Sequence, residues 1–402
     1  MASTGLAAQN LEGGRTAHSR FKIPIDILDD SFCNIKAQSH LAKLIKAADL
    51  IIWDEIFSVH RYNIEAVERT LRDLTSNKEP WGGKVVCLGG DPRQTLPIVK
   101  RGGRPQIVRA CIQSSLLYPG MKQYKLSQNM RTDKEEVNFA SYLLSVGEGK
   151  EEVHENESPN AIKIPEDYLV SGIDELIQIV FPNLKSGCDN PENLIAGTIY
   201  TPLNKDMKAI NAFCISKFPG EGKEYLSADS ILEEDHRNAI PVEFLNELTP
   251  SGLPDHKLLL KSGCPVMLLR NLQAGPNCSL RNGTRMIVVQ LMERAVECEV
   301  ATGRDKGVKV FLPRIPHYDR SHDFPFTVVR RQYPLKCCWC VSVNKGQGQS
   351  SERVGVYLPD NVFAHGQLYT ALSRGKRKKD VKVFIEKNKL GYTDNIVYKE
   401  LL

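Results

Sequence analysis

Residues 50–55 of this chain read Leu-Ile-Ile-Trp-Asp-Glu, an apolar run that ends abruptly in two carboxylates. In a parallel α/β sheet, ligands bind beyond the carboxyl ends of the strands. A strand over Leu50–Trp53 therefore brings Asp54 to the position of a Mg²⁺ ion, with Glu55 beside it to polarise an attacking water. Taken alone, the stretch is explained better by an alternative in which the two carboxylates cap a helix. The surrounding segments decide between a nucleotide site and a helix cap.

The sequence around this stretch has a βα rhythm. A second apolar strand is predicted at Lys84–Leu88, and apolar residues recur with helical spacing at Leu41–Ala48 and Ile64–Leu74. This alternation predicts a parallel sheet with crossover helices over residues 1–145, the first of two α/β domains.

The remainder of the chain is predicted to be a connection followed by a second α/β domain. Residues 146–190 form the connection, with a polar surface stretch at 147–165 and a helix at Asp174–Phe181. The second domain is expected over residues 191–402. Its predicted strands and helices are Leu194–Tyr200, Leu203–Phe218, Val354–Leu358 and His365–Ser373.

Within residues 262–330 the pattern changes to short strands joined by Gly and Asn turns. The predicted strands are Pro265–Leu269, Arg285–Gln290, Glu297–Ala301 and Lys309–Leu312. Such a pattern is typical of a small antiparallel β-barrel, here inserted into the second α/β domain.

The composition bounds the class of protein. The 402 residues are 41% hydrophobic and 25% charged, which is the balance of a globular protein with a sizeable core. The formal net charge of +5 permits a polyanionic partner without requiring one. No apolar run reaches the length of a membrane span, so we expect no membrane partner. The sequence does not indicate protein partners.

The eleven cysteines are scattered along the chain and are expected to be reduced, which predicts an intracellular protein. The densest group is Cys337, Cys338 and Cys340, within the apolar stretch Leu335–Val343. A metal site needs a second ligand pair at suitable spacing, and none is present. Buried core cysteines are therefore favoured over a metal site.

Two polar turns of the first domain carry candidate phosphate contacts. Gly89-Gly90-Asp91-Pro92-Arg93-Gln94 follows the second strand, and the Gln94 amide can sense a γ-phosphate or orient a water. A plain polar turn is equally consistent with that stretch. In Asn129-Met130-Arg131, the Arg131 guanidinium offers a planar fork of donors that matches phosphate oxygens. A surface salt bridge explains Arg131 equally well.

A polar, glycine-rich turn at Val341–Ser350 follows an apolar strand. Lys345 and the backbone amides of this turn can meet a phosphodiester, and Gln347 can reach across a domain cleft. The next predicted helix ends at Arg374, which can point into the same cleft.

The N-terminus contains two clusters of small and hydroxyl residues, Ser3-Thr4-Gly5 and Gly13-Gly14-Arg15-Thr16-Ala17-His18-Ser19. Small residues let a backbone approach a phosphate chain closely, and His18 can stack on or bond to a nucleotide. A Gly-Gly turn with a helix N-cap at Thr16 or Ser19 explains the second cluster equally well.

Together these stretches resemble, in order and spacing, a superfamily-one DNA helicase of the Pif family. The resemblance is closest to the helicase half of Helitron-type rolling-circle transposon proteins. The matching stretches are TGLAAQNLEGGRTAHSRFKIP from Thr4, LIIWDEI from Leu50, LGGDPRQTLPIV from Leu88, LSQNMR from Leu126, VNKGQGQS from Val343 and HGQLYTALSRG from His365. The resemblance implies a P-loop NTPase type of α/β fold: two RecA-like parallel-sheet domains, with a small β-barrel inserted in the second.

The resemblance also implies roles in one cleft that binds ATP and Mg²⁺. Asp54 would bind Mg²⁺ through water, and Glu55 would act as general base. Gln94 would read the γ-phosphate, while Arg131 and Arg374 would stabilise the transition state from two sides of the cleft. Gln347 is a further expected nucleotide contact. The residues expected to contact single-stranded DNA are Thr4, Gly5, His18, Ser19, Asn344 and Lys345.

The chain departs from the family pattern at several points. Pro92 stands where the family usually has Phe or Glu-like bulk, and it is expected to bend the turn that aims Gln94. Gly346 stands where the family usually has Ser. No Gly-x-x-x-x-Gly-Lys-Ser/Thr phosphate loop occurs, and the chain begins inside the first motif, so we expect an N-terminally truncated copy. Loss of the first strand and helix predicts exposed apolar surface beside Leu50–Trp53 and Lys84–Leu88.

The expected function is that of an ATP-dependent helicase that moves 5′ to 3′ on single-stranded DNA. The family implies roles in DNA repair, recombination and telomere maintenance, and a nuclear location. The alternative belongs to another class: a catalytically dead remnant that only binds single-stranded nucleic acid. The missing phosphate-loop lysine favours the alternative. The five cleft residues from Asp54 to Arg374 favour recent descent from an active enzyme.

Overall fold

A computed structural model describes residues 1–185, 192–233, 240–250, 252–273, 278–319, 323–388 and 390–402. The chain forms two compact units. The first unit consists of Met1–Ser171 and Val343–Leu402, and the second unit is Gly172–Ser342. The domain borders near residues 145 and 190 stay a prediction.

Most of the predicted helices and strands are confirmed. The α-helices of the described residues are α1 Gly5–Gln9, α2 Ala17–Phe21, α3 His40–Ala47, α4 Arg61–Thr75, α5 Arg104–Ala110, α6 Val137–Glu148, α7 Ile173–Val180, α8 Glu192–Ala196, α9 Asn204–Lys217, α10 Val242–Glu247 and α11 Gln367–Leu372. The strands are β1 Leu50–Trp53, β2 Val85–Leu88, β3 Ala161–Lys163, β4 Gly197–Thr201, β5 Gly222–Leu226, β6 Ala228–Ile231, β7 Lys257–Lys261, β8 Pro265–Leu268, β9 Leu272–Gln273, β10 Ser279–Leu280, β11 Arg285–Leu291, β12 Ala295–Val300, β13 Lys309–Pro313, β14 Ile315–Tyr318, β15 Val328–Gln332, β16 Leu335–Cys337, β17 Cys340–Ser342, β18 Arg353–Leu358, β19 Val381–Ile385 and β20 Tyr392–Asp394.

In the first unit, β1 and β2 pair in parallel, with Ile51 opposite Val86. The first residues of the chain lie beside the end of β1. The Asp54 backbone N–H donates to the Met1 carbonyl oxygen at 3.0 Å, and Ala2 forms a parallel bridge with Asp54. Because both strands run in the same direction, their carboxyl ends meet at one edge of the pair.

One face of this pair packs on the core of the first unit. Trp53 is fully buried there, in the same cluster as Ile64, Val67 and Leu71 of α4. These three residues are spaced three and four positions apart, so they share one face of the helix. Complete burial of an aliphatic side chain of this size contributes about 1.5–3 kcal/mol.

The opposite face of the pair is open to solvent. Leu50 is 52% exposed, Ile52 45% and Val85 65%. The expected exposed apolar surface beside the two strands is therefore confirmed.

A second parallel pair in the first unit joins β18 and β19, with Val356 opposite Val383 in the buried part of the pair. The helix α11 lies between these strands in the sequence. It begins at Gln367, later than the predicted start at His365, because Gly366 adopts a left-handed backbone with φ 69°. A residue in that conformation cannot continue a right-handed helix.

The stretch 147–165, predicted to be a polar surface connection, is only partly so. Residues 161–163 form β3, which pairs in antiparallel fashion with Tyr392–Asp394. Ala161, Ile162 and Ile164 are buried. This strand was not predicted because its apolar run is short and flanked by polar residues, and because its partner strand is distant in the sequence.

In the second unit, β4 and β17 pair in parallel, with Ile199 opposite Cys340. The strand predicted at Leu194–Tyr200 begins later, at Gly197, because residues 194–196 belong to α8. A Cβ atom at Gly197 would lie 2.6 Å from the Val180 carbonyl oxygen. The helix therefore gives way to the strand at a position where only glycine fits.

The strands predicted within residues 262–330 are antiparallel, as expected. One sheet has the order β13-β12-β11-β8-β16, so its last strand, Leu335–Cys337, lies beyond the predicted insertion. Met286 of β11 is opposite Val300 on one side and Val266 on the other. Closure of these strands into a barrel stays a prediction.

Cys338 and Cys340 are fully buried, which confirms that they are core residues, whereas Cys337 is only half-buried. The ten cysteines in the described residues are free, and Cys188 lies outside those residues. Across the described ranges, no group of three or more His, Cys, Asp or Glu side chains is arranged to hold a metal ion. None of the helices described is both long and apolar enough to cross a bilayer.

The two faces of β1 predict opposite effects for neighbouring substitutions. Ile51→Thr buries a hydroxyl and removes apolar contacts, so it should lower the free energy of unfolding by about 2–3 kcal/mol. Ile52→Thr on the open face should change it by less than about 0.5 kcal/mol and should reduce aggregation. Urea denaturation and sedimentation of the two variants test this. Equal losses of stability would mean that the Ile52 face is covered.

Candidate nucleotide and nucleic-acid site

The two carboxylates after β1 lie at the edge where the parallel strands end. The Glu55 backbone N–H donates to Asp54 Oδ1 at 2.8 Å, and Gly89, just beyond β2, lies against the same Asp54 oxygen. Glu55 has a left-handed backbone, with φ 58° and ψ 42°, and its side chain caps no helix. The structure therefore contradicts the helix-cap alternative. A non-glycine residue in this conformation costs on the order of 1 kcal/mol, and such strain concentrates at functional sites.

The carboxyl group of Glu55 is buried among charges of both signs. Burial raises the pKa of Glu55 above its ordinary value, and the nearby charges of Asp54 and Asp91 raise it further. The positive charges of Arg374 and Arg131 oppose this rise. Charges from four separate positions of the first unit thus act on one carboxyl group. A raised pKa is the change that brings a carboxylate closer to the range of a general base.

The turn that carries Gln94 begins after β2, beside these carboxylates. The Gly89 backbone N–H donates to the Trp53 carbonyl oxygen at 2.8 Å, and the Ile56 N–H donates to the Gly89 carbonyl oxygen at 2.9 Å. Gln94 is only 3% exposed, and its Oε1 atom has no hydrogen-bond donor among the described residues. A buried acceptor without a donor is expected to accept a hydrogen bond from a bound molecule, such as a water beside a phosphate.

The two predicted arginines have different surroundings. Arg131 is exposed, and its backbone N–H donates to Asn129 Oδ1 at 2.9 Å. Arg374 is fully buried at the end of α11. Its guanidinium donates to the carbonyl oxygens of Thr370 at 2.8 Å and Gln349 at 3.0 Å, among others. A direct bond from Arg374 to a phosphate would require some of these bonds to be exchanged.

Gln347 lies in the same glycine-rich turn that Arg374 holds. Its side chain is buried, and its Nε2 atom donates to the Thr95 carbonyl oxygen at 3.0 Å. This bond joins the turn to the residue that follows Gln94. The predicted contact between Gln347 and a nucleotide stays a prediction.

The N-terminal candidates for nucleic-acid contact lie at the starts of two short helices. The Thr4 hydroxyl accepts from the Ala7 backbone N–H at 3.1 Å and caps α1, which begins at Gly5. The Thr16 hydroxyl caps α2, as one of the two sequence alternatives predicted. On α2, His18 is exposed and Ser19 is half-buried.

The glycine-rich turn adjoins the first of these helices. A Cβ atom at Gly348 would lie 3.2 Å from the Ala7 Cβ atom, so the two segments are in close contact. Lys345 is exposed in this turn, whereas Asn344 is half-buried with an Oδ1 atom that has no donor among the described residues. The helix α1 and the glycine-rich turn, two of the three segments predicted to contact a DNA strand, therefore lie side by side in the first unit.

Sequence reasoning missed several residues that shape the site. The Tyr369 hydroxyl donates to Asp91 Oδ2 at 2.8 Å, and Arg93 donates to Glu148 Oε1 at 2.7 Å. The buried imidazole of His365 contacts the Pro92 carbonyl oxygen. The available signal was that Asp91, Tyr369 and His365 belong to matched stretches, but the contacts between these stretches cannot be read from one sequence.

Comparisons with known proteins agree with this arrangement. The model of the PIF1-like helicase family matches residues 1–157, and the model of the DNA helicase Pif1 2B domain matches residues 243–291. Over these two stretches the chain is similar to Pif1-like helicases. The matched part of the first unit contains Asp54, Glu55, Gln94 and Arg131.

Curated relatives are similar to this chain over almost its whole length. The ATP-dependent DNA helicase Pif1 of Campylobacter jejuni is 24% identical over 96% of this chain and 82% of its own length. The ATP-dependent DNA helicase PIF1 of Xenopus laevis is 24% identical over 95% of this chain. The chain spans about half of the Xenopus protein, 54%.

Solved Pif1 helicases share the fold. A Bacteroides Pif1 helicase in complex with ADP-AlF3 and ssDNA has a TM-score of 0.68 at 23% identity, covering 97% of this chain and 83% of that one. A Candida albicans Pif1 helicase has a TM-score of 0.64 at 22% identity, covering 100% of this chain and 86% of that one. The likeness shows a RecA-like α/β fold.

The raised pKa of Glu55 predicts a pH-dependent effect of Glu55→Gln on stability. Above the folded pKa the native state carries the cost of a buried charge, and this cost disappears below the ordinary pKa of 4.5. Glu55→Gln should therefore raise the free energy of unfolding at pH 7–8, and the gain should shrink as the pH falls towards 4.5. Denaturation series across pH measure this, with the exposed Glu135→Gln as the control. A gain that grows on acidification would reverse the sign assigned to Glu55.

Proposed function

We propose that the protein is an ATP-dependent DNA helicase that moves along single-stranded DNA. One observation carries the proposal: the strained, buried Glu55 lies under the charges of Asp54, Asp91, Arg131 and Arg374. A carboxyl group with acidic and basic neighbours at the end of a parallel strand suits the hydrolysis of a nucleotide. The match of residues 1–157 to the PIF1-like helicase family model supports the same activity.

The chemistry assigned to the site follows from the residue types. Glu55 takes a proton from the attacking water, and Gln94 orients that water through its buried amide. Asp54 is the residue that would hold Mg²⁺, because a carboxylate oxygen suits this hard cation, and the bound cation would supply positive charge to the phosphates. Arg131 is exposed, whereas the guanidinium of buried Arg374 already donates to several carbonyl groups, so we assign the contact with the developing negative charge to Arg131 first.

The proposed DNA contacts lie on neighbouring segments of the first unit. Ala7, in the helix that begins at Gly5, lies against Gly348 of the turn that carries Asn344 and Lys345. His18 and Ser19 lie on α2, and exposed His18 is suited to stack on a base. Gln347 links this surface to the Gln94 turn and, in the proposal, also approaches the nucleotide.

The finer parts of the proposal follow the family resemblance. The protein moves 5′ to 3′, acts in DNA repair, recombination and telomere maintenance, and is nuclear. It derives from a Helitron-type transposon protein. Its domains are RecA-like over residues 1–145 and 191–402, and its antiparallel strands near 262–330 form a small barrel.

A second candidate function is single-strand binding without catalysis. It is favoured by the absence from these 402 residues of a Gly-x-x-x-x-Gly-Lys-Ser/Thr loop. Such a loop supplies backbone N–H groups and a lysine to the β- and γ-phosphates. A polypeptide without them retains the proposed DNA surface but binds nucleotide poorly.

ATP hydrolysis separates the two candidates. The binding-only candidate predicts that the purified polypeptide of residues 1–402 turns over ATP near background, even with single-stranded DNA present, because the phosphates lack their loop. The helicase candidate predicts turnover clearly above background. A coupled-enzyme assay measures it, with Glu55→Gln as the matched variant. Hydrolysis at typical helicase rates that Glu55→Gln abolishes would rule out the binding-only candidate.

DNA binding tests the surface common to both candidates. The chain should bind a labelled oligonucleotide with little sequence preference, and more weakly as salt rises, because phosphate contacts release counterions. Stacking contributes ~1–3 kcal/mol per base, so His18→Ala with Lys345→Ala should weaken binding about tenfold or more. Fluorescence anisotropy measures the affinity and its salt slope.

Two controls accompany this measurement. Lys399→Ala removes an exposed lysine outside the proposed surface and should leave the affinity unchanged. Cys338→Ser should lower stability instead, because Cys338 is fully buried. If the double variant folds and binds with the affinity and salt slope of the unsubstituted chain, the DNA surface has been assigned to the wrong residues.

A further inference from the structure

The turn that carries Gln94 is held from outside its own segment. Within the turn, the Arg93 backbone N–H donates to Asp91 Oδ1 at 3.1 Å, and the Gln94 N–H donates to the Asp91 carbonyl oxygen at 3.2 Å. The carbonyl groups of Pro92 and Thr95, on either side of Gln94, take no part in these local bonds and accept from residues outside the turn. Both partners come from the C-terminal part of the first unit.

His365 is the partner of Pro92. Its imidazole is 1% exposed, and its Nε2 atom lies 2.8 Å from the Pro92 carbonyl oxygen. Its Nδ1 atom accepts from the Tyr398 backbone N–H at 2.8 Å. Because a carbonyl oxygen only accepts and an N–H only donates, the proton must be on Nε2. The ring is therefore neutral, and burial lowers the pKa of His365, which favours the same state.

The residue after His365 brings the two segments into van der Waals contact. Gly366 has φ 69°, and a Cβ atom there would lie 2.3 Å from the Arg93 carbonyl oxygen and 2.7 Å from that of Gln94. Only glycine permits this approach. This close approach holds His365 next to the turn, where its ring is hydrogen-bonded to the Pro92 carbonyl oxygen.

The far side of Gln94 is held by Gln347, which donates to the Thr95 carbonyl oxygen at 3.0 Å. The Tyr369 hydroxyl holds Asp91 at the start of the turn. The backbone on both sides of Gln94 is thus fixed by side chains, while the Gln94 Oε1 atom itself has no donor among the described residues. A fixed backbone with an available side-chain acceptor is the arrangement expected of a group that must be aimed.

We propose that His365 is a positioning residue for Gln94: its Nε2–H bond to the Pro92 carbonyl oxygen aims the Gln94 amide at the Glu55 site. This inference rests on the proposed function, in which Gln94 orients the attacking water, and adds the residue that sets its orientation. His365 touches neither nucleotide nor DNA in this account. Its effect passes through the backbone of the turn.

Two substitutions separate the two hydrogen bonds of the ring. In His365→Gln the side-chain Nε2 atom replaces the imidazole Nε2 donor, so the bond to Pro92 is kept and the bond from Tyr398 is lost. In His365→Asn the Oδ1 atom replaces the Nδ1 acceptor, so the bond from Tyr398 is kept and the bond to Pro92 is lost. The variants therefore differ in the bond that matters for Gln94.

Hydrogen–deuterium exchange of the full chain provides the readout. We expect amides of residues 89–98 to exchange about tenfold faster in His365→Asn and within twofold of the unsubstituted rate in His365→Gln. Exchange in Val381–Ile385 should be the same in both variants. Equal exchange of residues 89–98 in the two variants, or a rise confined to residues 396–402, would overturn the proposal.

A second measurement applies even if His365→Asn does not fold. In the unsubstituted chain labelled with ¹⁵N-histidine, His365 should show a slowly exchanging Nε2 proton and an unprotonated Nδ1. A proton on Nδ1, or rapid exchange at Nε2, would overturn the assignment. Neither readout needs DNA or ATP. If the unsubstituted chain does not bind DNA, that result would therefore count against the proposed function and not against the role of His365.

Discussion

The parallel pairing of Leu50–Trp53 with Val85–Leu88 is the constraint on which the site depends. It places Asp54 and Glu55 next to Gly89, where the second strand ends. Buried apolar residues on one face hold the pair against the core, so the polar residues at its end cannot move apart. Glu55 is fixed at this edge, where burial and the neighbouring charge of Asp54 raise its pKa.

The C-terminal part of the first unit completes this edge. Arg374 uses its guanidinium to hold the glycine-rich turn, and Gln347 of that turn holds the backbone beside Gln94. His365 holds the same backbone from the other side. The segments proposed to contact DNA and the residues proposed to act on phosphate are therefore joined by hydrogen bonds.

The sequence predicts the elements that depend on local patterns. Strands such as Leu50–Trp53, the helix α4 and the core cysteine Cys338 follow from apolar spacing alone. The strand Ala161–Lys163 could not be predicted, because its pairing with Tyr392–Asp394 is a contact between distant segments. For the same reason the sequence suggests Gln94 and Arg374 as candidate site residues but does not reveal the hydrogen bonds that Arg374 donates to nearby carbonyl groups. The helix start at Gln367 was missed because it depends on the left-handed backbone of Gly366.

A direct titration of Glu55 tests the central claim that charges from separate motifs meet at one carboxyl group. Carbon-detected NMR of ¹³C-labelled glutamate can follow Glu55 in the unsubstituted chain and in Arg131→Gln, which removes an exposed positive charge. The account predicts a pKa of Glu55 above 4.5, and a still higher pKa in Arg131→Gln, because the Arg131 charge lowers it. A Glu55 pKa that is not raised, or that does not respond to Arg131→Gln, would contradict the shared site.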